Sequence, residues 1–188
     1  MERTLVRLDN KQIQVLAHPL RARLLSRLRL DGAATATKLA ADLGTNTGAT
    51  SYHLRRLAEA GLVVEEPGAG RGRERWWRSA HDISSWQRDA FAGDPDALAA
   101  SDWLDGFHLR HLVDRVERWQ GVRADEPPGW RAAAGFSDYL LNLGTEQLTA
   151  LSAELDTVIE KYRALGGTDP APDARQVLLY LHAVPRVE

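Results

Sequence analysis

Residues 35–61 read TATKLAADLGTNTGATSYHLRRLAEAG, and their spacing decides how the chain folds. Thr35 is a helix-capping residue ahead of a short helix, Ala36–Leu43, whose apolar stripe is Leu39, Ala40 and Leu43. Gly44 follows at the position where a left-handed backbone costs glycine least. Asn46 can cap a second helix, Thr47–Ala60, which Gly61 closes. Thr50, Leu54 and Leu57 fall at i, i+4 and i+7 and predict the inner face of that helix. The turn between the two helices is too short for them to part.

Outward from this pair, the pattern continues on both sides. Upstream, Ile13, Leu16, Leu20, Leu24, Leu25 and Leu28 recur at helical spacing over residues 10–30. Pro19 interrupts that run, and proline fits a first turn, so a new helix is predicted to start there and to end at Asp31-Gly32. Its polar positions hold Arg21, Arg23, Arg27 and Arg29. Downstream, Leu62-Val63-Val64, a Gly- and Arg-rich stretch from Glu65 to Glu74, and Arg75-Trp76-Trp77-Arg78 read as a β-hairpin.

An arrangement of helix, tight turn, helix and hairpin has a physical use. An α-helix fits the DNA major groove, provided its inner face is apolar, its outer face carries small donors, and basic groups flank it. On the second helix Thr47, Gly48, Ser51, Tyr52 and Arg55 lie opposite the apolar face. The hydroxyls and Arg55 suit base edges or phosphates, Arg56 suits a phosphate, and Gly48 permits close approach. His53 is expected at the helix–helix seam. The hairpin tip, Pro67 to Arg73, would bring Arg71 and Arg73 to the backbone or minor groove, with Arg75 and Arg78 on the strand behind.

The charge distribution agrees. Residues 1–80 carry 14 Lys and Arg against 8 Asp and Glu, whereas residues 81–188 carry 10 against 18. A basic front on an acidic back directs one end to a polyanion. The chain has no cysteine, which excludes disulfides, thiolate metal sites and cysteine nucleophiles. No apolar run approaches the ~20 residues of a membrane span. Met1–Asn10 lacks the apolar stretch of a signal peptide, and a cytoplasmic location without membrane association is expected. Ser51/His53 and Ser84/Ser85 have no nucleophile-elbow context, and there is no phosphate-loop or H-E-x-x-H motif. No enzyme activity and no cofactor are expected.

His18-Pro19-Leu20-Arg21, Ala40-Asp42-Leu43-Gly44, Ser51-Tyr52-His53-Leu54-Arg55-Arg56-Leu57 and Glu59-Ala60-Gly61-Leu62-Val63 together resemble the ArsR-type winged helix-turn-helix family over about residues 10–80. The resemblance implies a homodimer that binds a palindromic operator, usually as a repressor, with Thr47–Ala60 as recognition helix and residues 65–75 as wing. It departs from metal-sensing members, whose thiolate ligands are impossible here.

The expected class is mainly α with small β (α+β). A winged helix-turn-helix domain over 1–82 is followed by a dimerisation and candidate effector-binding domain over 83–188. Within the latter, residues 95–120 predict a long helix with Trp103, Leu104, Phe107, Leu112, Val116 and Trp119 making apolar contacts. Pro127-Pro128 predicts a break, 130–143 fits a strand or a short helix, Thr145 caps a helix to Leu165, and Val177–Val184 reads as a strand. Two features of this half carry alternatives. Asp105, His108, His111 and Asp114 sit at steps of three, which suits neighbouring metal-ligand pairs, although each step falls short of a full turn by about 60°. Ion pairing with Arg110, Arg115 and Arg118 is the other reading, and no metal is assigned. The tryptophans, with Phe107, suit either a pocket for an aromatic small-molecule effector or ordinary core. The rival to DNA binding as a whole is a winged-helix module that binds protein.

Overall fold

A computed structural model describes residues 4–67, 74–168 and 170–187. The chain divides into two compact units, Met1–Glu117 and Arg118–Glu188.

In the first unit each helix starts where a side chain can satisfy its open N–H groups. Strand β1 (Leu5–Arg7) leads to α1 (Asn10–Leu16). Asp9 caps α1, and Gln12 returns a bond to the Asp9 N–H, a reciprocal capping box. Helix α2 (Pro19–Asp31) has proline in its first turn and is capped by the His18 ring, whose Nδ1 accepts from Leu20 N–H at 3.1 Å. Strand β2 (Ala34–Thr35) runs into α3 (Ala36–Leu43), where the Thr35 hydroxyl accepts from Lys38 N–H. Gly44 ends α3 at φ +63°, the left-handed conformation its position predicts, and its N–H closes on the Ala40 and Ala41 carbonyls. Helix α4 (Thr47–Glu59) is capped by Asn46 at 2.8 Å from Ala49 N.

Strands β3 (Val63–Glu65) and β4 (Trp76–Ser79) form the expected antiparallel hairpin, with Val63 opposite Ser79. Pairing β2 with β4, Ala34 opposite Trp77, makes a three-stranded sheet in the order β2-β4-β3. A second, two-stranded sheet pairs β1 in parallel with β5 (Ile83–Ser85). Helix α5 (Pro95–Val122) follows a short 3-10 turn.

One apolar core joins these elements. Ile13, Leu24, Leu28, Leu39, Leu54, Leu57, Leu62 and Trp77 meet Phe91, Ala97, Leu104 and Phe107. The early turns of α5 therefore complete the same core, while Leu109 and Val113 beyond them are exposed.

In the second unit, α6 (Pro128–Ala133) begins at the second proline of the expected break. Helix α7 (Thr145–Thr168) follows. The carbonyl that accepts its first helical bond is that of Gly144, from Leu148 N–H at 3.0 Å, so Thr145 lies inside the helix rather than at its cap, and the Gln147 side chain accepts from Gly144 N–H at 2.9 Å. The expected strand Val177–Val184 is not formed: β5 is the last strand among the described residues. Its apolar, β-branched composition suits a pleated, half-buried surface, and no strand lies beside it to supply one. Residues 135–144 also have no regular structure, so the strand alternative there is not realised either. Among the described residues no helix is long and apolar enough to cross a membrane.

Candidate nucleic-acid interface

Helix α4 presents two faces. Thr50, Leu54 and Leu57 are fully buried, as the spacing predicts. Thr47, Gly48, Tyr52, Arg55 and Arg56 are exposed, and Ser51 is half-buried. The outer face opens onto a cleft of about 360 Å³ lined by Thr47, Ser51 and Arg55 of α4, Thr35 and Thr37 at the start of α3, and Glu74, Arg75 and Trp77 of the hairpin. The sequence-predicted residues Thr47, Ser51, Arg55 and Arg75 are thus brought to one concavity. Thr37, in the first turn of α3, joins them without having been foreseen. The sequence signal for it is its place two residues after the Thr35 cap, where a hydroxyl sits beside open helix N–H groups.

The cations differ in their engagement. Arg55 has no ion-pair partner among the described residues. Arg56 pairs with Glu59 at 2.8 Å and Arg75 with Glu65 at 3.2 Å, while Arg78 pairs with Glu66. These are exposed pairs, worth at most about 1 kcal/mol each, and a phosphate can displace them. Arg71 and Arg73 lie outside the described residues.

Three of the four arginines of α2 bond to other elements, and Arg27 makes an exposed pair within the helix. Arg21 donates to the Val15 carbonyl, Arg23 to the Leu43 carbonyl at 3.2 Å, and Arg27 to Asp31 at 3.1 Å. Arg29 bonds the His81 carbonyl at 3.1 Å and Ser84 Oγ at 2.7 Å. Burial holds its guanidinium down to about 10, against the opposing pull of Asp82. Arg29 is a strut between α2 and the β4–β5 connection.

Behind the recognition face, the rings of His18 and His53 lie 4.4 Å apart, and Tyr52 meets His53 edge-on at 5.1 Å. His53 is at the seam, as expected. Its Nδ1 is buried without a hydrogen-bond partner among the described residues. Desolvation lowers the pKa of both histidines, with Arg21 and, for His53, the neighbouring His18 adding to it.

On α5, Asp105 accepts from the Trp86 indole at 3.0 Å, His108 lies 5.3 Å from the Trp86 ring, and His111 meets the Phe107 ring at 4.2 Å. Among the described residues no three His, Asp or Glu side chains converge as metal ligands. Trp103 stacks on Phe107 at 5.2 Å, and the two line a second cleft with Pro19, Arg110, His111 and Asp114. Trp77 is buried in the core, and Trp130 lies in the second unit beneath the Arg175 guanidinium.

A helix-turn-helix domain family model matches residues 16–66, within the first unit. A crystal structure of a possible transcriptional regulator for arsenical resistance is 34% identical, covering 56% of this chain and 95% of its own, with a TM-score of 0.33. Residues 16–66 thus form a helix-turn-helix domain. Further similar structures include the homodimeric winged helix-turn-helix DNA-binding domain of a possible ArsR-family regulator from Mycobacterium bovis, 23% identical over 54% of this chain and 81% of that one, with a TM-score of 0.35. ZitR of Lactococcus lactis in complex with DNA is 16% identical over 84% of this chain and 77% of its own, with a TM-score of 0.28. No protein of curated function matches the chain.

Proposed function

We propose that this helix-turn-helix protein is a DNA-binding transcriptional regulator of ArsR type that acts as a homodimeric repressor on a palindromic operator. In this reading each α4 enters a major groove, the two grooves lying about one turn, ~34 Å, apart. Thr47, Gly48, Ser51 and Tyr52 face base edges, Arg55 takes a guanine or a phosphate, and Arg56, Arg71, Arg73 and Arg75 hold the backbone. Residues 1–82 carry DNA binding, and 83–188 carry dimerisation. The observation behind this assignment is the cleft on the outer face of α4, where Thr47, Ser51, Arg55 and Arg75 meet. A small-molecule effector with an aromatic ring would use the Trp103–Phe107 cleft, because its wall Pro19 adjoins His18 and hence the seam with α4.

The test is fluorescence anisotropy with a labelled duplex from upstream of the protein's own gene, against a scrambled duplex, at two salt concentrations. The expected result is a preference of at least ~10³-fold that weakens with salt, and loss of affinity on Arg55→Ala. No binding to either duplex at low salt supports the rival, a winged helix that docks on protein. For the effector, an aromatic ligand library that leaves the melting temperature unchanged removes that part of the reading.

A further inference from the structure

The cleft beside Trp103 and Phe107 has a chemistry more specific than aromatic. Its volume is about 420 Å³, and its lining is Pro19, Trp103, Phe107, Arg110, His111 and Asp114. Small-molecule sites commonly measure ~300–1,000 Å³. The Trp103 and Phe107 rings are stacked, 5.2 Å apart and 21° from parallel, and His111 meets Phe107 edge-on at 4.2 Å. Phe107 is buried and Trp103 is half-buried against the core, so packing holds this wall in place before any ligand arrives. A flat ring can extend such a stack.

The two charged groups of the lining differ. Asp114 already has an interaction partner within the chain. Arg110 is exposed and has no ion-pair partner among the described residues. Its side chain lies back over Gly106, four residues earlier on the same face of α5. A Cβ at 106 would stand 3.2 Å from Arg110 Nη1, closer than ordinary contact. Gly106 does not have a positive φ, and glycine is disfavoured inside a helix, so the backbone gives no reason for it. Room for the guanidinium is the reason the structure offers. Arg110 is thus laid along α5 one turn from Phe107, and its planar fork of donors matches a carboxylate.

We propose that this cleft takes an aromatic monocarboxylate, its ring on the Trp103–Phe107 stack and its carboxylate on the Arg110 guanidinium. This rests on the aromatic-effector reading above and adds the charge of the ligand. Asp114 in the same lining disfavours a second negative charge, which limits the ligand to one carboxylate.

Calorimetric titration of the full chain with naphthaleneacetate, naphthaleneacetamide and naphthylmethylamine at neutral pH tests the charge directly. The acid should bind roughly tenfold or more tightly than the amide, with the amine weakest. Arg110→Gln should erase the preference for the acid and leave the amide's affinity unchanged. Gly106→Ala crowds Nη1 while favouring the helix, and should weaken the acid by roughly threefold or more without affecting the amide. Equal binding of acid and amide overturns the proposal and leaves the aromatic-effector reading standing. An acid preference left unchanged by Arg110→Gln or by Gly106→Ala does the same. Tightest binding of the amine overturns it by assigning the cleft to a cation. Failure of all three compounds to bind removes the proposal and the aromatic-effector reading together.

Discussion

Thr50 and Gly48 sit two residues apart on α4 and show how one helix serves two demands. Thr50 is 0% exposed, and its hydroxyl has no hydrogen-bond partner among the described residues. A buried, unsatisfied hydroxyl costs about 1–3 kcal/mol, so Thr50→Val, which keeps the shape and removes the polar atom, should raise stability by about 1 kcal/mol in urea denaturation. A destabilised variant would mean that the hydroxyl is bonded after all. Gly48 has an ordinary helical backbone, and a Cβ there would meet only Asn46 Oδ1, at 3.4 Å. Nothing in the fold calls for glycine. Gly48→Ala should therefore raise stability by up to about 1 kcal/mol through helix propensity. If the helix start lies against DNA, the same variant should lose operator affinity in anisotropy. Unchanged affinity would remove Gly48 from the interface. The sequence reading assigned both residues correctly to a face, because helical periodicity is local, but it could not reveal an unsatisfied atom, which depends on every element packed around it.

At the scale of elements, the seam between α2 and α4 carries a pH dependence. His18 caps α2 through Nδ1 while its ring lies against His53 of α4, with Arg21 beside both. Both pKa values fall below 6.5, desolvation first, so the folded state disfavours the charged rings. As pH drops through 6.5 the unfolded chain takes up protons that the folded chain resists, and stability falls. His108 and His111 of α5, also lowered by desolvation first, push in the same direction. Thermal melts at pH 8 and pH 5 should show a lower transition at pH 5. The drop should be smaller in a His18→Asn, His53→Gln double variant, since Asn keeps a capping oxygen. An equal drop would place the acid sensitivity elsewhere. The seam also marks how far elements were legible. Caps, glycine stops and apolar stripes placed α1 to α4 and the hairpin closely, because each is written within a turn or two of sequence. The parallel pairing of β1 with β5 and the capture of the α2 arginines by carbonyls were not legible, since their partners lie far along the chain. Strand 177–184 failed for the same cause: its residues carry the propensity, but a strand exists only where a neighbour does.

For the whole molecule, the unequal charge of its two halves favours a DNA approach led by the first 80 residues under the proposed reading. Arg55, Arg56, Arg75 and Arg78 lie on α4 and the hairpin, whereas Arg21, Arg23 and Arg29 of α2 bond to carbonyl and hydroxyl groups of neighbouring elements. The net positive balance of that region therefore overstates the cations free for phosphates. Arg55, which has no ion-pair partner among the described residues, can bind without first breaking a pair, whereas Arg56 and Arg75 must leave Glu59 and Glu65. Counterion release makes the logarithm of the binding constant fall with the logarithm of salt concentration by about 0.9 per phosphate contact. Arg55→Ala should then flatten the slope by about one contact per protomer, or about two for a dimer. Glu59→Gln and Glu65→Gln should act oppositely, raising affinity by releasing Arg56 and Arg75 and removing an anion near the backbone. Salt titrations of the three variants on one operator duplex measure this directly. If Arg55 reads a guanine rather than a phosphate, its loss should leave the slope nearly unchanged but relax the preference at one base pair in each half-site, so the same titration repeated on substituted duplexes separates the two roles.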